Sequence, residues 1–111
     1  MKIAIIGSRN IQIDDLSPYI PADCDEIISG GARGVDTCAA EYARSHNLKL
    51  TEILPDYQKF GRAAPIVRNR AIVEAADAVI AFWDGSSRGT KSVIDFCQKT
   101  SKSCRVFTLQ K

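Results

Sequence analysis

No apolar run in this chain exceeds six residues, so no segment reads as a membrane-spanning helix. The opening MKIAIIGS is too short in its apolar part for an export signal and runs straight into a turn. A cytoplasmic location without a membrane partner is the expectation. Histidine occurs once, at His46, where a helix is expected to end before Asn47; that position suits a partner for the helix dipole better than a catalyst. The four cysteines (Cys24, Cys38, Cys97, Cys104) contain no C-x-x-C pair, which argues against zinc, and the missing export signal argues against disulfides. Cys38 and Cys97 fall on apolar helical stripes and read as core residues. Neither G-x-S-x-G nor H-E-x-x-H is present, so no catalytic residue is assigned, and no metal or cofactor is expected. A net charge of +2 neither demands nor excludes nucleic acid.

What is present suffices for one domain over residues 1–111 and is too short for two. Five short apolar runs read as strands: Ile3–Ile6, Glu26–Ile28, Leu50–Leu54, Ala78–Trp83 and Arg105–Leu109. Val35, Cys38, Ala39, Tyr42 and Ala43 repeat at helical spacing between the second and third. Pro65 can open another helix through Ile66, Ile72, Val73 and Ala76, and a last one carries Thr90, Val93, Ile94 and Cys97. Asp14–Tyr19 is the weakest element, read as a helix of two turns. Alternating strands and helices imply an α/β fold, a Rossmann-like three-layer sandwich with a five-stranded parallel sheet in the order 3-2-1-4-5. IAII and AVIAFW barely alternate, as expected of strands buried on both faces.

In such a sheet a ligand sits beyond the carboxyl ends of the strands, where the strand order reverses. Three loops converge there: Gly7-Ser8-Arg9-Asn10 after the first strand, Ser29 to Gly34 after the second, and Trp83 to Thr90 after the fourth. All are rich in glycine, serine and arginine, while the turns at the opposite end contain no glycine. Gly30, Gly31 and Gly34 would leave a helix N-terminus uncovered, so that an anion can rest on its amides. Ser29 adds a hydroxyl, Arg33 a charge, and Asp36 either favours the helix dipole or holds a ribose hydroxyl. Gly85, Ser87, Arg88, Gly89 and Thr90 repeat the theme; Arg68 and Asn69 start a helix near the same edge; and Asp84 closes the fourth strand. Asp36 or Asp84 could serve a hydrolase as base, although no spacing requires it. Trp83 either stacks on a base or plugs the sheet end, and Tyr57 and Phe60 form a lid or an interface. Five of the eight arginines lie beside glycines or near helix starts, whereas the lysines read as scattered on solvated faces, a partition that suits an anionic ligand. GSSRGTKS is not a Walker A loop, because Thr90 stands where that motif needs glycine.

GSR after the first strand, SGGARGVD after the second, RNRAIVEAADAVIAFWDG into the fourth and SRGT beyond it resemble the SLOG superfamily, especially its stand-alone YspA/YpsA-related group. That superfamily also includes the DNA-processing DprA (Smf) proteins and the lonely-guy phosphoribohydrolases. The resemblance implies a nucleotide-derived small-molecule ligand, held by Gly7, Ser8, Arg9, Gly30, Gly31, Arg33, Gly34, Asp36, Arg68, Asn69 and the loop from Asp84 to Thr90, in a sensor or a minor nucleotide-processing enzyme. The alternatives are a single-stranded DNA- or RNA-binding module of the DprA type and an N-glycosidase with an altered catalytic carboxylate. Val93 occupies the place of the phosphoribohydrolase glutamate. A homodimer paired through helices is the expected assembly.

Overall fold

A computed structural model describes residues 1–31 and 34–109. Five strands form one parallel sheet: β1 (Lys2–Gly7), β2 (Glu26–Ser29), β3 (Lys49–Glu52), β4 (Ala78–Trp83) and β5 (Cys104–Thr108). Their order is β3-β2-β1-β4-β5, as the alternation of strands and helices implies. The register runs Ile3 to Ile27 on one side of β1 and Ile3 to Ala78 on the other. The helices are α1 (Val35–Ser45), the single turn α2 (Tyr57–Phe60), α3 (Ala64–Ala75) and α4 (Arg88–Thr100).

Successive side chains of a strand face opposite sides, so each central strand feeds two cores. Ile3, Ile5, Ile27, Ile80 and Phe82 point to the α1 side, where they pack with Val35, Cys38, Ala39 and Ala43. Ala4, Ile6, Ile28, Val79 and Ala81 point to the α3–α4 side and meet Ile72, Val73, Val93, Ile94 and Cys97. These two packed faces make the three layers. Burial on both faces holds for β1, β2 and β4 but not for the edges: Val106 of β5 is exposed, and β3 is only partly covered. An edge strand has one lateral neighbour and less helix above it, so uniform burial is unavailable to β3 and β5.

Local chemistry ends the helices where the chain must turn. His46 caps α1, its ring stacked on Tyr42 and its Nδ1 3.0 Å from the Tyr42 carbonyl. Asn47 follows in the left-handed region, with the Leu48 amide donating to the Ala43 carbonyl at 2.9 Å. With the Asn47 amide donating to the Arg44 carbonyl at 3.4 Å, this is the Schellman arrangement, with asparagine in the usual glycine place. Pro65 falls in the first turn of α3, where its missing N–H costs no helical bond.

The segment 14–19 is not a two-turn helix. Only Ser17–Tyr19 forms a 3₁₀ turn, because the Asp15 carboxylate takes the Ser17 amide at 2.9 Å and Pro18 follows at once. Tertiary packing decides the rest. Tyr19 sets its ring edge-on to Phe82 and Phe107, with centroids 5.0 and 4.8 Å away, and so covers the sheet where α1 does not reach. All four cysteines are free thiols, and burial pushes the Cys104 thiol, beside Cys97, up to about 12. Among the described residues no helix is long and apolar enough to cross a membrane.

Candidate functional site

At the carboxyl ends of β1 and β4 the chain encloses a cleft of about 450 Å³. The sheet order requires its position: β1 is flanked by β2 and β4, so the crossovers leave it in opposite directions and their loops part. Its walls come from the β1 loop, the start of α1, the first two turns of α3 and the start of α4.

Backbone contacts hold these walls together. Gly7 ends β1 against the first residue of α1: a Cβ there would lie 2.5 Å from Val35 Cγ2 and 2.8 Å from the Phe82 carbonyl. Ser8 is fully buried; its amide donates to the Phe82 carbonyl at 3.0 Å, and its hydroxyl accepts the Asp84 amide at 3.2 Å. The hydroxyl thus ties the β1 loop to the β4 loop. Gly34 opens α1 at φ +75°, a conformation that disfavours side chains, and a Cβ there would also meet the Arg9 carbonyl at 2.6 Å.

Asp84 organises the loop into α4. Its Oδ1 accepts the Ser86 amide at 2.9 Å, the Ser87 amide at 2.8 Å and the Ser86 hydroxyl at 3.3 Å. The backbone N–H of Ser86, then that of Ser87, hold its carboxyl down at about 2, with the Asn10 and Ser86 side chains helping against partial desolvation. So bound and so acidic, it takes up no proton near neutral pH. Asp84 therefore anchors the loop through Oδ1. Ser87 then caps α4, its side chain accepting the Thr90 amide. The Trp83 indole N–H donates to the Ser87 carbonyl at 3.0 Å, so the ring, partly buried against the α3–α4 core, braces the loop.

On the opposite wall Arg68 is half-buried and held at two points. Its Nη1 donates to the Gly30 carbonyl at 2.8 Å and its Nε to Asn69 Oδ1 at 2.9 Å. Gly30 makes room for this: a Cβ would lie 2.6 Å from Arg68 Nη1 and 3.1 Å from Asp36 Oδ2. The guanidinium and the buried Asp36 carboxylate therefore share the space where a side chain would have stood. Below them Ile6, Ile72 and Val93 form an apolar floor.

Of the residues expected at the site, Gly7, Ser8, Arg9, Gly30, Asp36, Arg68, Asn69, Asp84, Ser87, Gly89 and Thr90 line this one cleft. Others do not. Ser29 is fully buried and accepts the Gly31 amide at 3.2 Å, so it shapes its loop from beneath. Gly31 lies against Leu54, Gly34 borders a smaller hollow behind the β1 loop, and Gly85 sits at an exposed turn. Arg88 leans over the outer face of α4. Arg33 lies outside the described residues. Asn10, Pro65 and the floor residues Ile6, Ile72 and Val93 join the lining without having been singled out. Asn10 belongs to the GSRN loop and was legible there, and Val93 stands where the resemblance places a glutamate, whereas Ile6 and Ile72 carry no signal beyond that of core. Among the described residues no cluster of three or more His, Cys, Asp or Glu could hold a metal ion.

Arg68 and the start of α4 give the cleft donors of the kind that suit an anion, whereas the Ser86 hydroxyl that bonds the Asp84 carboxylate at 3.3 Å does not line it. Fold and cleft together define a parallel α/β protein of Rossmann type with a cleft of polar walls and apolar floor at its switch point. No protein-family model, curated protein or solved structure matches the chain.

Proposed function

We propose that the cleft binds a nucleotide-derived small molecule, its phosphate against the first turn of α4 and the Arg68 guanidinium, its less polar part over Ile6, Ile72 and Val93. The observation that carries this reading is Arg68, pinned by the Gly30 carbonyl and Asn69 at the rim of a cleft that also takes in the start of α4. A fixed guanidinium presents its remaining donors in a planar fork suited to phosphate. A helix start adds outward amides and partial positive charge. A volume of about 450 Å³ falls within the usual range for small-molecule sites. The resemblance to SLOG domains supports the same ligand class. Because Asp84 is committed to its loop, the reading favours a sensor over an N-glycosidase that uses this carboxylate.

Thermal unfolding against AMP, ADP, ATP, NAD, ADP-ribose, cyclic nucleotides and a short single-stranded oligonucleotide tests the proposal. A ligand at 100 times its Kd adds about 2.7 kcal/mol. For a chain of 111 residues that raises Tm by about 10 °C. One mononucleotide or dinucleotide should produce such a shift, and Arg68→Ala, by weakening binding about tenfold, should cut it to about half. A shift with the oligonucleotide alone, or with nothing, refutes the reading.

A further inference from the structure

Outside the cleft, α3 and α4 enclose a second groove, of about 380 Å³. Lysines that look scattered in the sequence fall into line here. Arg88, Lys91, Asp95 and Lys99 follow one another at three, four and four residues, which on a helix is a single stripe, about 17 Å long. Arg70 faces them from α3, so four cations meet one carboxylate, and that carboxylate is already paired with Lys91 at 3.1 Å. The groove also has apolar content. Phe96 lies in it with the Arg70 guanidinium 5.5 Å from its ring centroid, and Ile66 is 51% exposed at its edge.

We infer that this groove docks an acidic amphipathic segment of a partner protein, a helix of about three turns laid along α4. Its carboxylates would meet Arg88, Lys99 and Arg70, and an apolar side chain would rest on Ile66 and Phe96. Helix-in-groove recognition needs this combination of an apolar anchor and flanking charge. Charge alone would also suit a nucleic acid, but two features favour the peptide. Among the described residues Phe96 is the one aromatic ring that lines the groove, too few for the stacking of successive bases that single strands require. Asp95 in mid-groove opposes a run of phosphates, whereas a peptide can place a neutral or cationic residue there. The inference is independent of what the cleft binds, since only Asn69 lines both.

The test is fluorescence anisotropy on the whole chain with a labelled fourteen-residue peptide of glutamate and leucine, its leucines on one helical face. A scrambled peptide of the same composition and a fourteen-nucleotide oligothymidylate serve as comparators. The patterned peptide should bind at least about tenfold tighter than either comparator, a difference that marks shape and not charge alone. Arg88→Glu with Lys99→Glu should weaken it by about tenfold or more, and Ile66→Ser several-fold, with circular dichroism confirming that both variants fold. Equal binding of patterned and scrambled peptides, preference for the oligonucleotide, or unchanged binding by Ile66→Ser overturns the inference. So does sedimentation showing a dimer that Ile66→Ser dissociates, because a second copy would then fill the groove.

Discussion

Gly7→Ala offers the sharpest test of how the site is assembled. The position ends a strand and its φ is ordinary, so alanine meets no backbone strain there. If space existed, the substitution would stabilise the chain by about 0.4–1 kcal/mol by restricting the unfolded state. The geometry reverses that sign. The new methyl would sit 2.5 Å from Val35 Cγ2, 2.7 Å from Val35 Cβ and 2.8 Å from the Phe82 carbonyl, each well inside ordinary contact. None of these neighbours yields easily. Val35 is fully buried in the first turn of α1, and the Phe82 carbonyl is held by the Ser8 amide at 3.0 Å. Relief requires lifting the start of α1 off the sheet, which disturbs the wall that carries Asp36.

Overpacking of this kind costs about 1–3 kcal/mol, and three rigid contacts place Gly7→Ala at the upper end. A loss of about 3 kcal/mol in a chain of 111 residues lowers Tm by about 13 °C. Urea unfolding followed by the single tryptophan, Trp83, gives the free energy directly. In a Val35→Ala background the Cγ2 contact is gone while the Cβ and carbonyl contacts remain, so the double-mutant cycle should show a coupling of at least about 1 kcal/mol with much of the penalty retained. A variant as stable as the parent would refute the packing of α1 on the end of β1, and with it the geometry of the site.

Other substitutions separate folding from binding. Gly30→Ala should cost less than about 1 kcal/mol, because the atom it meets first is the movable end of Arg68. It should nonetheless displace Arg68 from the Gly30 carbonyl and weaken phosphate ligands by about tenfold in calorimetry, a loss that Arg68→Ala does not deepen. Asp84 carries a pH signature. Its folded value of about 2 lies below the ordinary carboxylate value of 3.8, so its contribution is present above pH 4 and is lost as pH falls through 2. Acid titration of stability should therefore flatten between those limits in Asp84→Asn, and an unchanged profile would count against the Ser86 and Ser87 bonds. Gly34→Ala combines a positive φ with a 2.6 Å approach to the Arg9 carbonyl and should destabilise by more than about 2 kcal/mol in the same urea assay.

The parallel sheet and its strand order were legible because buried strands and amphipathic helices carry strong periodic signals, as IAII and the Val35–Ala43 stripe do. The convergence of glycine loops at one sheet edge was legible for the same reason, since strand order dictates which loops meet. What escaped depends on direction more than on residue type. Arg88 stands beside Gly89 in sequence, yet as the first residue of α4 its side chain follows the outer stripe while Gly89 lines the cleft. Ile6 and Ile72 look like any core aliphatic until the two loops part above them. At Ser17–Tyr19 the stop set by Asp15 and Pro18 is local, but Tyr19 packs on Phe82 and Phe107, partners more than 60 residues away that no local window contains.

Glycines thus enter the site for distinct reasons, and Gly89 isolates the one that concerns a ligand. Packing explains Gly7, and backbone conformation together with close approach explains Gly34. Neither explains Gly89, whose Cβ would meet nothing within 4 Å and whose φ is ordinary. A glycine in a helix is otherwise a cost, so alanine there should raise stability by about 0.5 kcal/mol. Such a residue makes physical sense if a ligand must approach the first turn of α4 more closely than a methyl permits. Gly89→Ala should therefore unfold at slightly higher urea while binding the ligand identified by thermal screening about tenfold more weakly, in proportion to about 1.4 kcal/mol of lost contact. Higher stability with unchanged affinity would detach α4 from the phosphate and leave Arg68 to hold it alone. Lower stability would mean that the start of α4 is packed more tightly than its open surroundings allow.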